Sequence, residues 1–494
     1  MAQGAAAAHL PGPPARAATT PLPTRFKTIH AFGAVAFGVK DSGFSVFLLS
    51  YYNLGLGMPA GTVGTALFLA LMIDALVDPV LGNLSDRTYT RWGRRLPWLY
   101  LSALPLALVW AALWARPWGG EPGFAELLGV AVTVRLLLSA SEVNAVALVP
   151  ELTSDYDERS ALFRWRFLFG WTGGLIMLFL AYEVFLTDGP ERATGYDAFG
   201  IVGGAIILFA TLVSALGQHS RVAHLPASRP PPFSLRSVFG EIFEAFANRP
   251  FLILMGGMMA AFVSQGMILS LTNYLYLFIW QIGDDAFVLF PLVLFASVVL
   301  AFIIGAPLQR RLEKRDLAAR CALVATVLWL TPIVLLLVGL WPPLGSTAST
   351  AGIFIALLFA NAMAILVPIT GMSMLADLVD RFAQQSGRRA EGSLYAGNWL
   401  VQKASGGVGI LIGSQIVQGA GLSSEAEPGS ITMETITAML VPYAIAISVL
   451  GALIFAFMRR FPITRADHES RLDLLNDIAR AEADPHTHSP NQRL

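Results

Sequence analysis

Apolar residues fall into twelve long runs separated by short polar stretches. The pattern predicts helices near residues 28–52, 60–84, 97–116, 124–148, 163–187, 197–217, 250–281, 286–307, 319–341, 350–375, 393–419 and 432–458. A bilayer core takes about 20 apolar residues per helix, so each run is long enough to cross. The first and seventh are long enough to tilt or protrude. The expected fold is an all-α membrane protein.

The second six runs repeat the first. Gly82 to Arg95 follows run 2, and a weaker counterpart, Gly305 to Arg315, follows run 8. Glu151-Leu-Thr-Ser-Asp-Tyr-Asp-Glu-Arg159 follows run 4, and Ala376-Asp-Leu-Val-Asp-Arg381 follows run 10. Parallel repeats of six helices suit a carrier whose halves rock about a central site. The expected organisation is a disordered N-tail (1–27), one six-helix bundle (28–217), and a linker with an amphipathic helix over Leu235–Ala247 (218–249). A second bundle (250–461) and a C-tail (462–494) follow. No signal peptide is expected, because the Ala- and Pro-rich start lacks a basic stretch followed by an apolar core.

Charge orients this plan. Of 33 Lys and Arg residues, all but five lie in the tails or in or at the edges of the even-to-odd loops; Arg116 and Arg192 fall on the other side, and Lys40, Arg135 and Lys403 lie within runs. The positive-inside rule places both termini in the cytoplasm. Hydrophobic residues make up 55% and charged residues 13%, against about a quarter charged in soluble domains. Zero formal net charge implies no nucleic-acid partner. The single cysteine, Cys321, excludes internal disulfides and multi-cysteine metal sites. His30, the one histidine placed on a helix, reads as interfacial. Ser405 to Gly409 has no preceding strand and reads as close helix packing, not a phosphate loop.

The informative residues are the charges inside apolar runs. Asp74 and Asp78 stand one turn apart and share a helix face. Counted back from Asp86 at 1.5 Å per residue, they lie ~18 Å and ~12 Å deep. A carboxylate there costs at least ~2.5–3.5 kcal/mol, and two on one face raise each other's cost. A small cation is the ligand such a pair suits. Pro79 frees a backbone carbonyl beside them. Lys40, Asp41, Arg135, Glu142 and Lys403 complete the set, so four acids face three bases and simple pairing leaves one acid over. Arg135 is expected to serve Glu142, two turns along its own run. Between runs 2 and 3, Gly82 permits a tight helix exit. Asp86, Arg87, Arg91, Arg94 and Arg95 are expected to latch a gate, together with Asp377 and Asp380 after run 10.

Gly82-Asn-Leu-Ser-Asp-Arg-Thr88 resembles the signature loop of the major facilitator superfamily. Asp74-x-x-x-Asp78-Pro-x-x-Gly82 followed by Arg91-Trp-Gly-Arg-Arg-x-Pro-Trp98 narrows the resemblance to the glycoside–pentoside–hexuronide:cation symporters, the melibiose permease-like family. Phe37-Gly-Val-Lys-Asp41, Leu148-Val-Pro-Glu-Leu-Thr-x-Asp155 and Tyr395 through Lys403 agree, so the resemblance spans both halves. It implies a major facilitator fold, residence in a bacterial inner membrane, function as a monomer and no cofactor. By position, Asp74 and Asp78 match the cation-site carboxylates, with Ser139 a further oxygen. Asp41 matches an acid that binds sugar hydroxyls, Lys403 a lysine facing the cavity, and Arg166 a cavity arginine. Glu142 falls where the family's type member carries an aspartate at the sugar site. Lys40, Trp399 and Tyr395 complete the expected substrate site, the aromatic rings as stacking platforms.

One departure bears on the ion. Sodium-using members place an asparagine just before the second carboxylate, and here Val77 stands there. Sodium wants several oxygens and a proton needs only a carboxylate, so proton coupling is favoured, with sodium at Asp74 and Asp78 the alternative. The expected function is cation-coupled symport of a sugar or glycoside through the bilayer. The alternative is a lysolipid or organic-acid carrier of the same fold. An enzyme is not expected, because no catalytic constellation is present.

Overall fold

A computed structural model describes residues 22–153, 155–223, 240, 243–386, 391–422, 426 and 428–462. Most of the expected linker, including most of its amphipathic stretch, most of the N-tail and nearly all of the C-tail lie outside these residues. The described part of the chain folds into twelve long helices. They are α1 (Thr24–Gly55), α2 (Ala60–Asp86), α3 (Leu96–Ala115), α4 (Phe124–Leu152), α5 (Tyr156–Leu180, continued by the π-helical turn Ala181–Phe185) and α6 (Tyr196–Val222). The second six are α7 (Arg249–Ile279), α8 (Leu289–Arg311), α9 (Lys314–Leu337), α10 (Thr347–Ser386), α11 (Glu391–Gly419) and α12 (Met433–Arg459). Eleven are long and apolar enough to cross a membrane. The twelfth, α11, has 29 residues, about 43 Å of helix, and carries Lys403 and its polar neighbours.

Local chemistry sets the ends. Asn248 accepts a hydrogen bond from the Phe251 amide at 3.2 Å and caps α7, whose first turn holds Pro250. Thr432 caps α12 through the Thr435 amide. Asp155 accepts from the Glu158 amide at 3.0 Å at the head of α5. Helix α1 begins at Thr24, before the expected residue 28, because Glu158 holds its entry: the Leu22 amide donates to it at 3.1 Å and Lys27 pairs with it at 2.9 Å. Helix α5 likewise begins at Tyr156 rather than near 163.

The two halves repeat in their packing. In the first, α1 packs on α5, α2 on α4 and α3 on α6; in the second, α7 packs on α11, α8 on α10 and α9 on α12. Glycines bring the equivalent pairs together. A Cβ on Gly38 of α1 would strike the backbone of Gly170 and Gly174 in α5, and one on Gly266 of α7 would strike Gly406 in α11. Small residues at helix crossings are how membrane helices approach closely. Leu101, Leu104 and Leu108 of α3 and Phe302 and Ile303 of α8 point outward, as a lipid-facing surface requires.

Between halves, α2 runs along α11, while α5 touches α8 only lightly. One face of the bundle carries the basic loops. On the opposite face the halves are bonded to each other. Asn273 of α7 donates to the Val46 carbonyl at 3.0 Å and Ser50 Oγ at 2.9 Å, and accepts from Tyr182 of α5 at 2.7 Å. Tyr274 donates to Asn53 at 2.8 Å, and Gln418 of α11 accepts from the Gly61 amide of α2 at 2.7 Å. Phe287 stacks on Tyr182 and Phe290 meets it edge-to-face in the same layer.

Candidate functional site

Mid-bundle, α2 carries Asp74 and Asp78 toward α4 and α11. The i, i+4 spacing puts both on one face, and a single ammonium from the other half reaches both. Lys403 Nζ lies 2.5 Å from Asp78 Oδ2, 3.0 Å from Asp74 Oδ2 and 3.1 Å from Ser139 Oγ. Ser139 donates to Asp74 Oδ1 at 2.6 Å. Arg135 Nη1 completes the cluster, 2.8 Å from Asp74 Oδ2. Its guanidinium lies over the Phe44 ring, 5.0 Å from the centroid. Asp74 is almost wholly buried (2% exposed). Asp78 Oδ1 is buried and has no hydrogen-bond partner.

Arg135 therefore does not serve Glu142. Its side chain leaves α4 toward α2, and the partner of Glu142 is Arg166, with Nη2 2.6 Å from Oε1. Arg166 also undoes the count of four acids against three bases. Because α5 begins at Tyr156, Arg166 lies well inside the helix and is buried, so it is a fourth intramembrane base. Each acid is then matched: Lys40 with Asp41 at 3.3 Å, Arg135 and Lys403 with Asp74, Lys403 with Asp78, and Arg166 with Glu142.

The acids differ in access. The Asp41 side chain is 53% exposed and that of Glu142 29%, the open sides of two otherwise buried pairs. Lys40 is buried, 4.5 Å from the Phe37 ring centroid. Trp399 is exposed and Tyr395 half-buried, about one and two turns of α11 before Lys403. His30 is fully buried, and its Nδ1 lies 2.9 Å from Gln218 Oε1.

On the basic face, the loop between α2 and α3 is clamped by Glu151 at the end of α4. Arg94 Nη2 and Arg95 Nε lie 2.8 Å and 3.1 Å from Glu151 Oε1, and Arg95 also pairs with Asp86 and donates to Ser85. Arg87 donates to Asn83 at 2.9 Å, and Arg91 covers the Trp92 ring. Gly93 takes a positive φ of 82° in the turn Thr90–Gly93, a conformation that favours glycine. The Cβ that Gly82 lacks would meet only Val143 of α4. The second half repeats the clamp: Asp377 near the end of α10 binds Lys314 at the head of α9 at 2.6 Å. Among the described residues, these ion pairs each stay within one half, so Asp86 and Asp377 do not meet. The Asp380 side chain lies outside what is described.

The sequence motifs thus have physical reasons. Glu151 clamps the loop, Asp155 caps α5, and Arg159 donates to the Thr153 carbonyl at 2.8 Å. What sequence reasoning missed is the binding of Asp74 by Arg135. Its one signal was a charged residue on α4 four positions before Ser139, on the same face.

Comparison with known proteins agrees with this architecture. The family profile described as MFS/sugar transport protein matches residues 29–465. An uncharacterized symporter of Synechocystis sp. is 26% identical over 90% of this chain and 95% of its own length. An inner membrane symporter of Escherichia coli is 24% identical over 88% and 91%, and an isoprimeverose transporter of Lactiplantibacillus pentosus is 24% identical over 79% of each chain. Among solved structures, a D-xylose–proton symporter superposes with a TM-score of 0.62 at 13% identity, over 89% of this chain and 98% of that one, which shows the fold. The protein is a multi-pass membrane transporter of the major facilitator fold, not an enzyme, and it belongs to the MFS/sugar transport protein family with the glycoside–pentoside–hexuronide type of symporter.

Proposed function

We propose that this protein is a symporter that moves a sugar or glycoside together with a cation, a proton in preference to sodium. The observation that carries this is the Lys403 ammonium on Asp74, Asp78 and Ser139. It is a charged contact between the two halves at the level where substrate and ion must both pass. An ionised, dehydrated carboxylate is costly unless paired. With Asp78 ionised, Lys403 is held on α2. A proton on Asp78, whose Oδ1 has no partner, weakens that pull, leaves Asp74 shared with Arg135, and lets Lys403 turn toward substrate hydroxyls. Substrate and proton then together permit the halves to rock.

In this reading the half-open pairs Lys40–Asp41 and Arg166–Glu142 bind sugar hydroxyls, carboxylates accepting and bases donating. Trp399 and Tyr395 offer ring faces. Both termini are cytoplasmic by the positive-inside rule, the bonded face is external, and the conformation faces inward. On reversal, the loop residues Gly82, Asp86, Arg87, Arg91, Arg94 and Arg95 close against α10 near Asp377 and Asp380. The carrier acts as a monomer. A lysolipid or organic-acid substrate fits less well, because Lys40, Arg135, Arg166 and Lys403 each already face a carboxylate. An anionic group would have to displace one.

The test is uptake of a glycoside panel into proteoliposomes under an imposed proton or sodium gradient. Accumulation driven by protons, lost in Asp78→Asn while substrate exchange persists, is the expected result. Accumulation by Asp78→Asn against a gradient would overturn the coupling role.

A further inference from the structure

Asp74 stands where the resemblance puts a cation-site carboxylate, yet both of its oxygens are taken by the protein. Oδ1 accepts from Ser139 at 2.6 Å. Oδ2 is 2.8 Å from Arg135 Nη1 and 3.0 Å from Lys403 Nζ. Asp78 Oδ2 is taken by Lys403, and Val77 between them offers no oxygen. A sodium ion would find Asp78 Oδ1 as the free carboxylate oxygen of the pair. The donor set does not fit a hard cation that wants several oxygen ligands.

Charge makes the same point. Two carboxylates face two bases, so the cluster is neutral as it stands, and a metal ion would leave it positive in a buried site. Lys403 is partly exposed and sits on a long flexible stem. Arg135 differs in kind. A guanidinium does not lose its proton in a protein. This one is buried among Phe44, Asp74 and the body of α4.

We propose that Arg135 is a tethered cation that permanently fills the Asp74 half of the coupling site, and that it is the residue that excludes sodium. The inference rests on the reading of Asp74 and Asp78 as that site. Arg135 thus determines ion selectivity from outside the set that motif reading supplies.

The test is sodium binding by the purified full-length protein, read as thermal unfolding and by calorimetry. Sodium chloride is titrated against choline chloride at constant ionic strength. Wild type is expected to show no sodium-specific shift. Arg135→Ala is expected to gain one that rises with the logarithm of sodium concentration. Arg135→Lys is expected to behave as wild type. Arg135→Met keeps the apolar stem and stands in if the alanine variant does not fold. Sodium-specific stabilisation of the wild type, or none in a folded Arg135→Ala or Arg135→Met, would overturn the inference. Because binding is read without uptake, wild-type uptake driven by neither gradient would overturn the coupling reading alone.

Discussion

Lys403 and Asp78 belong to opposite halves of the bundle, yet their charged atoms are 2.5 Å apart. The pair is both a strut and a lock. Removing one partner of a buried pair costs about 3–5 kcal/mol, because the other charge is stranded. Here both side chains are about one-fifth exposed, so solvent screening lowers the expected cost to roughly 1–3 kcal/mol. Lys403→Gln and Asp78→Asn should each lower the unfolding temperature, and the double variant should recover part of the loss. A double-mutant cycle by thermal unfolding in detergent measures the coupling, expected at roughly 1–2 kcal/mol. Strictly additive losses would show that the pair does not hold the halves.

Val77→Asn supplies the amide that the family resemblance associates with sodium use. With Arg135 and Lys403 still on the carboxylates, an added oxygen does not by itself make a sodium site. Uptake by Val77→Asn should therefore be the same in sodium chloride and choline chloride. Sodium stimulation in this variant would mean that Val77 alone sets the preference.

How much of this was legible in the sequence follows from the range of each interaction. The helices could be read because a bilayer demands long apolar runs, and the Asp74–Asp78 face because i, i+4 geometry is local. Arg135 was assigned the wrong partner because the reading looked along α4, whereas the partner comes from α2. Which helix packs beside which is a tertiary fact that local periodicity does not encode. Arg166 looked like a loop-edge charge because the start of α5 was placed seven residues late, and the capping by Asp155 that fixes that start is a single hydrogen bond. The π-helical turns at Gly43–Phe47, Tyr51–Gly55 and Leu275–Ile279 have no comparable sequence signal.

Gly38 and Gly266 sit at equivalent crossings, α1 on α5 and α7 on α11. A methyl group at either would meet backbone rather than a movable side chain. Overpacking a well-packed interface costs about 1–3 kcal/mol, and backbone that cannot shift puts these sites at the upper end. Gly406→Ala is the control, since a Cβ there meets nothing within 4 Å and the change gains helix propensity. Yield and unfolding temperature should fall for Gly38→Ala and Gly266→Ala and hold or rise for Gly406→Ala. Equal behaviour of all three would deny that the close crossings limit stability.

Asn273 holds the face opposite the basic loops by three bonds, to Val46, Ser50 and Tyr182. All three partners belong to the first half, and all the side chains involved are buried. Asn273→Leu keeps the bulk and removes the bonds, leaving buried polar atoms unpaired in the closed state but free to meet water in the open one. An unsatisfied buried group costs about 1–3 kcal/mol, enough to move a two-state equilibrium about 5- to 150-fold. The variant should therefore open that face more often. Ser50→Cys, in a background where buried Cys321 is replaced, reports this by reaction with a membrane-impermeant maleimide in whole cells. Labelling at least fivefold faster with Asn273→Leu than without it is expected. Unchanged labelling would show that the aromatic layer of Tyr182, Phe287 and Phe290, rather than Asn273, keeps the face shut.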